Sequence, residues 1–519
     1  MKKLIAVLLA ALMMISLAAC KKTGANDQQA EQPASSEAPG SFGGDGSGGQ
    51  PGEQPGGQGD PGGQGMPGGT PPDGTPPPGG PGGQGGMPGG QPGGQPGGMP
   101  GGQPGGPGGP GGSSADIDYK GAAEITSADS QNGQTYSSAA ADESALIINT
   151  KDAVTLNDIT VTKSGDSDGG DSCNFYGLNA ALLVMGGSTT TITGGTIESG
   201  AFGANGIFCY GGNGGMNGAA GDGTTVIVRG VTINTTGGGS GGIMTTGGGI
   251  MKAYDLNVTT SGQSSAPIRT DRGGGTVYVE GGTFTSNGLG SPAVYSTADI
   301  TVKAARLVSN LSEGVCIEGK NSVALTDCDL TANNTKMNSF ASFLDSIMIY
   351  QSMSGDAESG TSSFTMTGGS LTSRSGHVFH VTNTNAVITL ENVRIVNEDA
   401  SGVLLSVCDD GWSGSANIAA LNAVNQTLEG KILVGSNSKL SLSITNDSSF
   451  TGMIDGNITN AKGAVVSTSV GTVSVTIDES STWTLTGDTY VSEFSGNASS
   501  IISNGYTLYV NGTALAGTN

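Results

Sequence analysis

Between residues 181 and 308, apolar and polar residues alternate in short runs broken by Gly, Asn, Asp or Ser. Alternation with a period of two marks a half-buried strand. The runs also recur. Ile207, Ile243, Ile268 and Val294 open one kind of run. Ile233, Val258, Phe284, Val308 and Leu330 hold matching places in another, at intervals of 25, 26, 24 and 22 residues. A unit of that length cannot bury its own inner face and must stack on its neighbours. The pattern predicts an all-β fold, a right-handed parallel β-helix solenoid of about twelve coils, with the hand set by the crossover rule for parallel strands. At about 4.8 Å per coil, the rod is roughly 55–60 Å long.

The coils predicted in this way fill residues 145–430. From Lys431 the style of the runs changes, and residues 431–519 read as further coils and a C-terminal cap. Residues 115–144 are expected to cap the other end, because an open strand edge invites pairing with other chains. Three insertions interrupt the stack, at 162–179, 211–224 and 332–346; insertions in solenoids often build the binding face.

Strand alternation places side chains. With Ile207, Ile268, Val294, Val315, Ile347 and Val378 pointing inward, Phe208, Tyr210, Met244, Arg269, Asp271, Tyr295, Glu318, Met348, Tyr350 and Phe379 point outward as one stripe. Tyrosine rings stack on the apolar faces of sugars, and charged groups hydrogen-bond their hydroxyls. Tyr210, Arg269, Asp271, Arg272, Tyr295, Glu318 and Tyr350 are therefore candidates for a carbohydrate-binding surface. The bland alternative is that these side chains lie under the insertions. Asp271, Arg269 and Glu318 are the weak candidates for catalysis, since two coils separate the carboxylates by about 10 Å, as a hydrolase with an intervening water requires. A salt bridge shaping the turn at Gly273 is the structural alternative.

Composition divides the chain. Nearly all of the 21 Pro precede residue 111, and Pro-Gly-Gly units fill much of residues 21–114. Their spacing slips from four to three, so collagen is excluded. With no apolar surface to offset the entropy of ordering, the segment is expected to be a disordered linker spanning about 50–60 Å on average. Residues 1–20 have the charged start, apolar core and small residues of an export signal. Leu17–Cys20 resembles the lipobox of bacterial lipoproteins, which implies lipid on Cys20 and anchoring at the extracellular face of a membrane.

The net charge of −23 excludes a nucleic-acid partner. It would also repel an anionic glycan unless Ca²⁺ bridged the charges. No cofactor motif is visible. Asp166, Asp168 and Asp171, in an Asp/Gly-rich loop, could ligate Ca²⁺ or form a solvated acidic loop. Beyond Cys20, five scattered cysteines read as small buried hydrophobes, with one disulfide left open. His377 and His380, three apart on a strand, are expected on opposite faces, with His380 inside. No Ser-His-Asp pattern is discernible.

The phrases Ile268–Gly275, Ser291–Tyr295, Cys316–Lys320 and Tyr350–Asp356 resemble the pectate-lyase-like β-helix superfamily, and in particular β-helix lipoproteins of bacterial surfaces. That superfamily includes polysaccharide lyases, glycoside hydrolases, adhesins and tail-spike binding modules, so the resemblance implies a fold and not one activity. Three functions stand: carbohydrate binding or adhesion at the cell surface, a polysaccharide lyase or hydrolase, and a structural stalk.

Overall fold

A computed structural model describes residues 117–167, 170–213, 220–337 and 341–519. The signal segment, Cys20, the linker and Asp168 lie outside the described residues.

The described chain is a parallel β-helix. Its first sheet contains thirteen strands, one per coil, from Glu124–Ile125 to Ile454–Asp455, against the twelve or so expected. As far as Arg394–Asn397, the second and third strands of each coil join one continuous stack. In Ala153–Lys163 and Thr189–Ser199 a single strand turns the corner and serves both. The segment expected as an N-terminal cap carries short strands already in parallel register with the next coil, Glu124 with Ile147 and Thr135 with Thr160. Antiparallel pairs appear only near the C-terminal end among the described residues, at Asn457–Thr459 with Val465–Thr468 and Leu508–Val510 with Thr513–Ala514.

The corner between the second and third strands explains the Gly, Asp and Asn that punctuate the repeat. At least one residue per coil there is left-handed: Asp255, Gly281, Ala304, Asp327, Gly368 and Asn392, with φ between 48° and 65° except Gly281 at 71°. The N–H of Asp255, Gly281, Ala304, Asp327 and Gly368 donates to a carbonyl of the next coil at 2.9 Å. Left-handed backbone strains most L residues, and Gly, Asn and Asp tolerate it best. Another corner carries a serine column. The N–H of Ala204, Ser240 and Ser265 donates to the Oγ of Ser240, Ser265 and Ser291 in turn, each at 2.9 Å. Burying such polar turns is possible because each of these serine hydroxyls both accepts an N–H and donates to a carbonyl.

Two inward assignments are corrected by the register. Phe284 pairs with Leu307, and Leu307 with Leu330, so Leu307 holds the place expected for Val308. Likewise Phe379, not Val378, aligns with Ile347 and Leu405, and its ring meets the core residue Phe364 at 5.7 Å. In both cases two apolar residues stand side by side, and alternation cannot say which one aligns with the inward row; Val378 is itself buried in the core beside Phe379. Register is decided by the neighbouring coil.

The third sheet is not continuous. Arg394–Asn397 pairs with Ser370–Ser373 before it. Thr427–Glu429 opens a separate four-stranded sheet with Ser449–Gly452, Thr482–Leu485 and Ile501–Ile502. No ladder joins Arg394–Asn397 to Thr427–Glu429. Beyond the break the interior grows more aromatic, with Phe450 and Trp483 stacked at 5.4 Å.

Candidate binding face

The outer face of the first sheet carries the predicted stripe as two parallel rows. Leu183, Phe208, Met244, Arg269, Tyr295, Cys316, Met348 and His380 are in register along one. Tyr210 and Thr246 fall along the second, as do Glu318, Tyr350 and Thr382 further on. Tyr210, Arg269 and Tyr295 thus share one outer flank. Phe379, expected on this face, lies inside, as described above. What covers the rows divides them into three zones.

The first zone is apolar and closed. A short helix, α1 (Asp171–Tyr176), lies over Leu183, Phe208, Tyr210 and Met244. Tyr176 meets Tyr210 edge-on at 5.9 Å, and the Tyr119 hydroxyl donates to the Tyr176 carbonyl at 2.8 Å. The helix ends at Gly177, φ 80°, where a Cβ would come within 2.7 Å of Leu183 and 2.8 Å of Phe208. Only glycine lets the chain pass so close. Tyr210 is 6% exposed, so its ring is a packing surface here.

The second zone is polar. Arg269 donates to Asp271 at 2.8 Å and to the Ser264 carbonyl at 3.0 Å, and its guanidinium lies 5.9 Å from the Tyr295 ring centre. Asp271 also accepts the Arg272 N–H at 3.0 Å. Arg272 reaches Asp356 at 2.6 Å and lies over Phe175 at 4.3 Å. Glu318 is the centre of a hydroxyl cage. Its Oε2 accepts from Tyr295 at 2.6 Å and from Tyr350 at 3.1 Å, while its Oε1 accepts from Ser352 and, at 3.4 Å, Ser354. Trp412 meets Tyr350 at a tilt, with ring centres 5.1 Å apart. The carboxylates are sealed, with Glu318 2% and Asp271 5% exposed. Arg269, Arg272, Tyr295 and Trp412 are half-buried, and Met353 is 47% exposed at the rim. A cleft of about 280 Å³ opens alongside, between Gln351–Thr361 and Ser415–Ile418.

Burial governs the charges in this zone. It pushes Asp271 up from 3.8 to about 6, against the pull of Arg269. It also raises Glu318, while hydroxyls from Ser352 and Tyr295 draw it back. Tyr295 and Tyr350 are held well above 10, by burial first and by Glu318 second. Both oxygens of Glu318 are occupied as acceptors and Asp271 is tied to Arg269. The arrangement therefore suits hydrogen-bonded recognition better than proton transfer, which needs a carboxyl within reach of the reacting atom.

The third zone overturns the expectation for the histidines. His377 Nδ1 and His380 Nδ1 both lie 2.7 Å from Ser406 Oγ. They converge because His377 stands at the first position of its strand, Asp345 opposite, while His380 occupies the outward row in register with Met348 and Ser406. His380 is therefore outside the core, under Phe343, whose ring centre is 4.8 Å away. His380 Nε2 faces Asp410 at 3.4 Å, and Asp410 accepts the N–H of Ser342 at 2.6 Å and its hydroxyl. Ser406, His380 and Asp410 form a triad-like line, but each is at most 1% exposed and Ser406 is shared by two imidazoles. Burial drives His377 down from 6.5 to about 3, with His380 adding to the effect.

Asp166 and Asp171, the two described carboxylates of the acidic loop, have separate surroundings. Asp166 accepts the Phe202 N–H at 2.8 Å. Asp171 opens α1, where burial and then Asp356 raise its affinity for a proton. No cluster of three or more His, Cys, Asp or Glu that could hold a metal occurs among the described residues. None of Cys173, Cys209, Cys316, Cys328 and Cys408 forms a disulfide, and all are buried.

Sequence reasoning did not find Ser352, Asp356 and Trp412 for the polar zone, or Ser342, Ser406 and Asp410 for the histidine zone. Trp412 had a signal, being one of two tryptophans and set in a polar Asp-Asp-Gly-Trp run. Ser342, Ser352, Asp356 and Asp410 are ordinary loop residues and Ser406 an ordinary strand residue, and their partners are far off in the sequence. No family profile, curated protein or solved structure matches the chain.

Proposed function

We propose that this protein is a lipid-anchored β-helix of the bacterial cell surface, held out on its Gly/Pro-rich linker, that binds carbohydrate through the polar zone of its first sheet. The observation that carries this reading is the Tyr295–Glu318–Tyr350 assembly with Arg269, Asp271, Arg272 and Trp412 around it. It presents half-buried aromatic and guanidinium surfaces above a carboxylate already oriented by four hydroxyls. Such a surface is preorganised, so a sugar ring can stack and hydrogen-bond without ordering long side chains first. The test is a glycan array with the full chain, followed by titration of any hit. Tyr295→Ala and Trp412→Ala should each weaken binding about tenfold. Binding to no glycan on the array would leave the structural stalk as the better account.

A second reading, a polysaccharide lyase or hydrolase, rests on Asp271, whose carboxyl titrates at about 6 and so could exchange a proton near neutrality. Reducing-end and ultraviolet-absorbance assays on a polysaccharide panel, with and without Ca²⁺, test it. Turnover abolished by Asp271→Asn would establish it; absence of turnover on every substrate would remove it.

A further inference from the structure

The break in the third sheet leaves two strand edges facing each other across a cleft of about 620 Å³. On one side, the N–H groups of Arg394 and Glu398 donate backwards, to Gly369 and Ser373. By the alternation of a parallel ladder, the N–H and C=O of Ile395 and Asn397 then point into the cleft. On the other side, the Gln426 carbonyl accepts from Ser449 N and Gly430 N donates to Thr451. The N–H and C=O of Thr427 and Glu429 therefore face back toward Ile395. Gln426 closes one end of the gap. Its side-chain amide accepts from Val393 N at 2.7 Å and donates to the carbonyls of Val393 and Thr427 at 2.8 and 2.7 Å. Ile395 is in register with Leu371, and Leu371 with Leu330; both leucines are fully buried, yet Ile395 is only half-buried. The cleft thus reaches the core column. Arg394 and Glu429 are exposed at its walls, and neither has an ion-pair partner among the described residues.

We infer that this wedge is a second ligand site, and that it takes a short uncharged saccharide. The volume lies within the range of small-molecule sites. The walls offer donors and acceptors of both kinds, and the floor offers one apolar side chain. A pyranose answers that combination, since each hydroxyl both donates and accepts and the ring carries an apolar face. An extended peptide fits less well. A strand inserted between two edges needs about 4.8 Å on each side, and here a single glutamine side chain bridges the edges at one end. An anionic sugar is disfavoured because Glu429 and Asp447 outnumber Arg394 along the lining. The site is separate from the face of the first sheet and does not depend on it.

The full chain is titrated with maltotriose, cellotriose, xylotriose and N-acetylchitotriose, and with trigalacturonate as the charged comparator, using saturation-transfer NMR. At least one neutral trisaccharide should bind with Kd below about 10 mM. Ile395→Trp, which fills the floor, and Arg394→Ala, at the surface, should each weaken that binding about tenfold, while Lys462→Ala, exposed and outside both faces, leaves it unchanged. No transfer to any neutral trisaccharide overturns the inference. So does binding that survives both substitutions, or trigalacturonate binding as tightly as the neutral sugars. If Ile395→Trp unfolds by circular dichroism, Arg394→Ala alone decides. If Tyr295→Ala removes all binding, the saccharide belongs to the first sheet and the wedge is not a site.

Discussion

Glu318 and Asp410 are both buried carboxylates on the outer flank of the same sheet, yet their surroundings differ in kind. Glu318 is held by hydroxyls, and the tyrosine that donates to it reaches the surface. Asp410 is held by Ser342 and faces a histidine, under a phenylalanine lid that belongs to an apolar cluster with Val403, Cys408 and Leu433. The strands below are interchangeable; the loops above are not. Loop 351–360 leaves the polar zone half open, whereas residues 341–346 close the histidine zone. A parallel β-helix thus offers the same ladder of outward positions at every coil, and the insertions select which of them meet solvent.

The largest test of this contrast is Asp410→Ala. Removing it strands His380 and the Ser342 N–H in a dry setting, and should cost about 3–5 kcal/mol in chemical denaturation. Glu318→Gln should cost only about 1–2 kcal/mol, since the amide still accepts from the tyrosines. Equal losses would erase the distinction between the zones.

The pH response should separate them next, because the signs are opposite. Asp271 is raised from 3.8 to about 6 in the folded protein. The folded state therefore holds the proton more tightly, and the associated stability, present below pH 3.8, is lost as pH rises through about 6. The gap corresponds to roughly 3 kcal/mol. His377 is lowered from 6.5 to about 3. Its contribution is complete above pH 6.5 and is lost as pH falls toward 3; because His377 is partly exposed, we expect roughly 2–3 kcal/mol. Urea denaturation between pH 3.5 and 7 of Asp271→Asn and His377→Gln should each remove one limb, the first between about 4 and 6 and the second on the acid side. A variant that removes the limb of the other zone would refute the assignment. The smallest effect is Tyr295→Phe. It deletes one hydroxyl from the Glu318 cage and should cost about 1 kcal/mol, with the ring still able to stack on a sugar. A glycan affinity that falls as far as in Tyr295→Ala would mean that the hydroxyl, not the ring, makes the contact.

Much of the polar zone was legible from alternation. Arg269, Tyr295, Glu318 and Tyr350 stand on the flank where period-two counting puts them, and Arg269 is paired with Asp271 as a short local motif suggests. Counting failed where two apolar residues adjoin, at Leu307–Val308 and Val378–Phe379, and where a strand end turns, at His377. It could not show that Tyr210 lies beneath α1, nor that Asp356 joins Arg272 across 84 positions of chain.

By itself, the order of residues determined that this chain coils. A short period of alternating runs, each punctuated by residues that tolerate left-handed backbone, has no other way to bury its apolar side than by stacking. Only the tertiary structure decided what each outward residue meets. The loops that cover the face arrive from distant coils, and the parting of the third sheet between Arg394 and Thr427 shows in the sequence only as a change in the style of the runs near Lys431. Burial, partners and the resulting proton affinities depend on separations in space that local sequence does not encode.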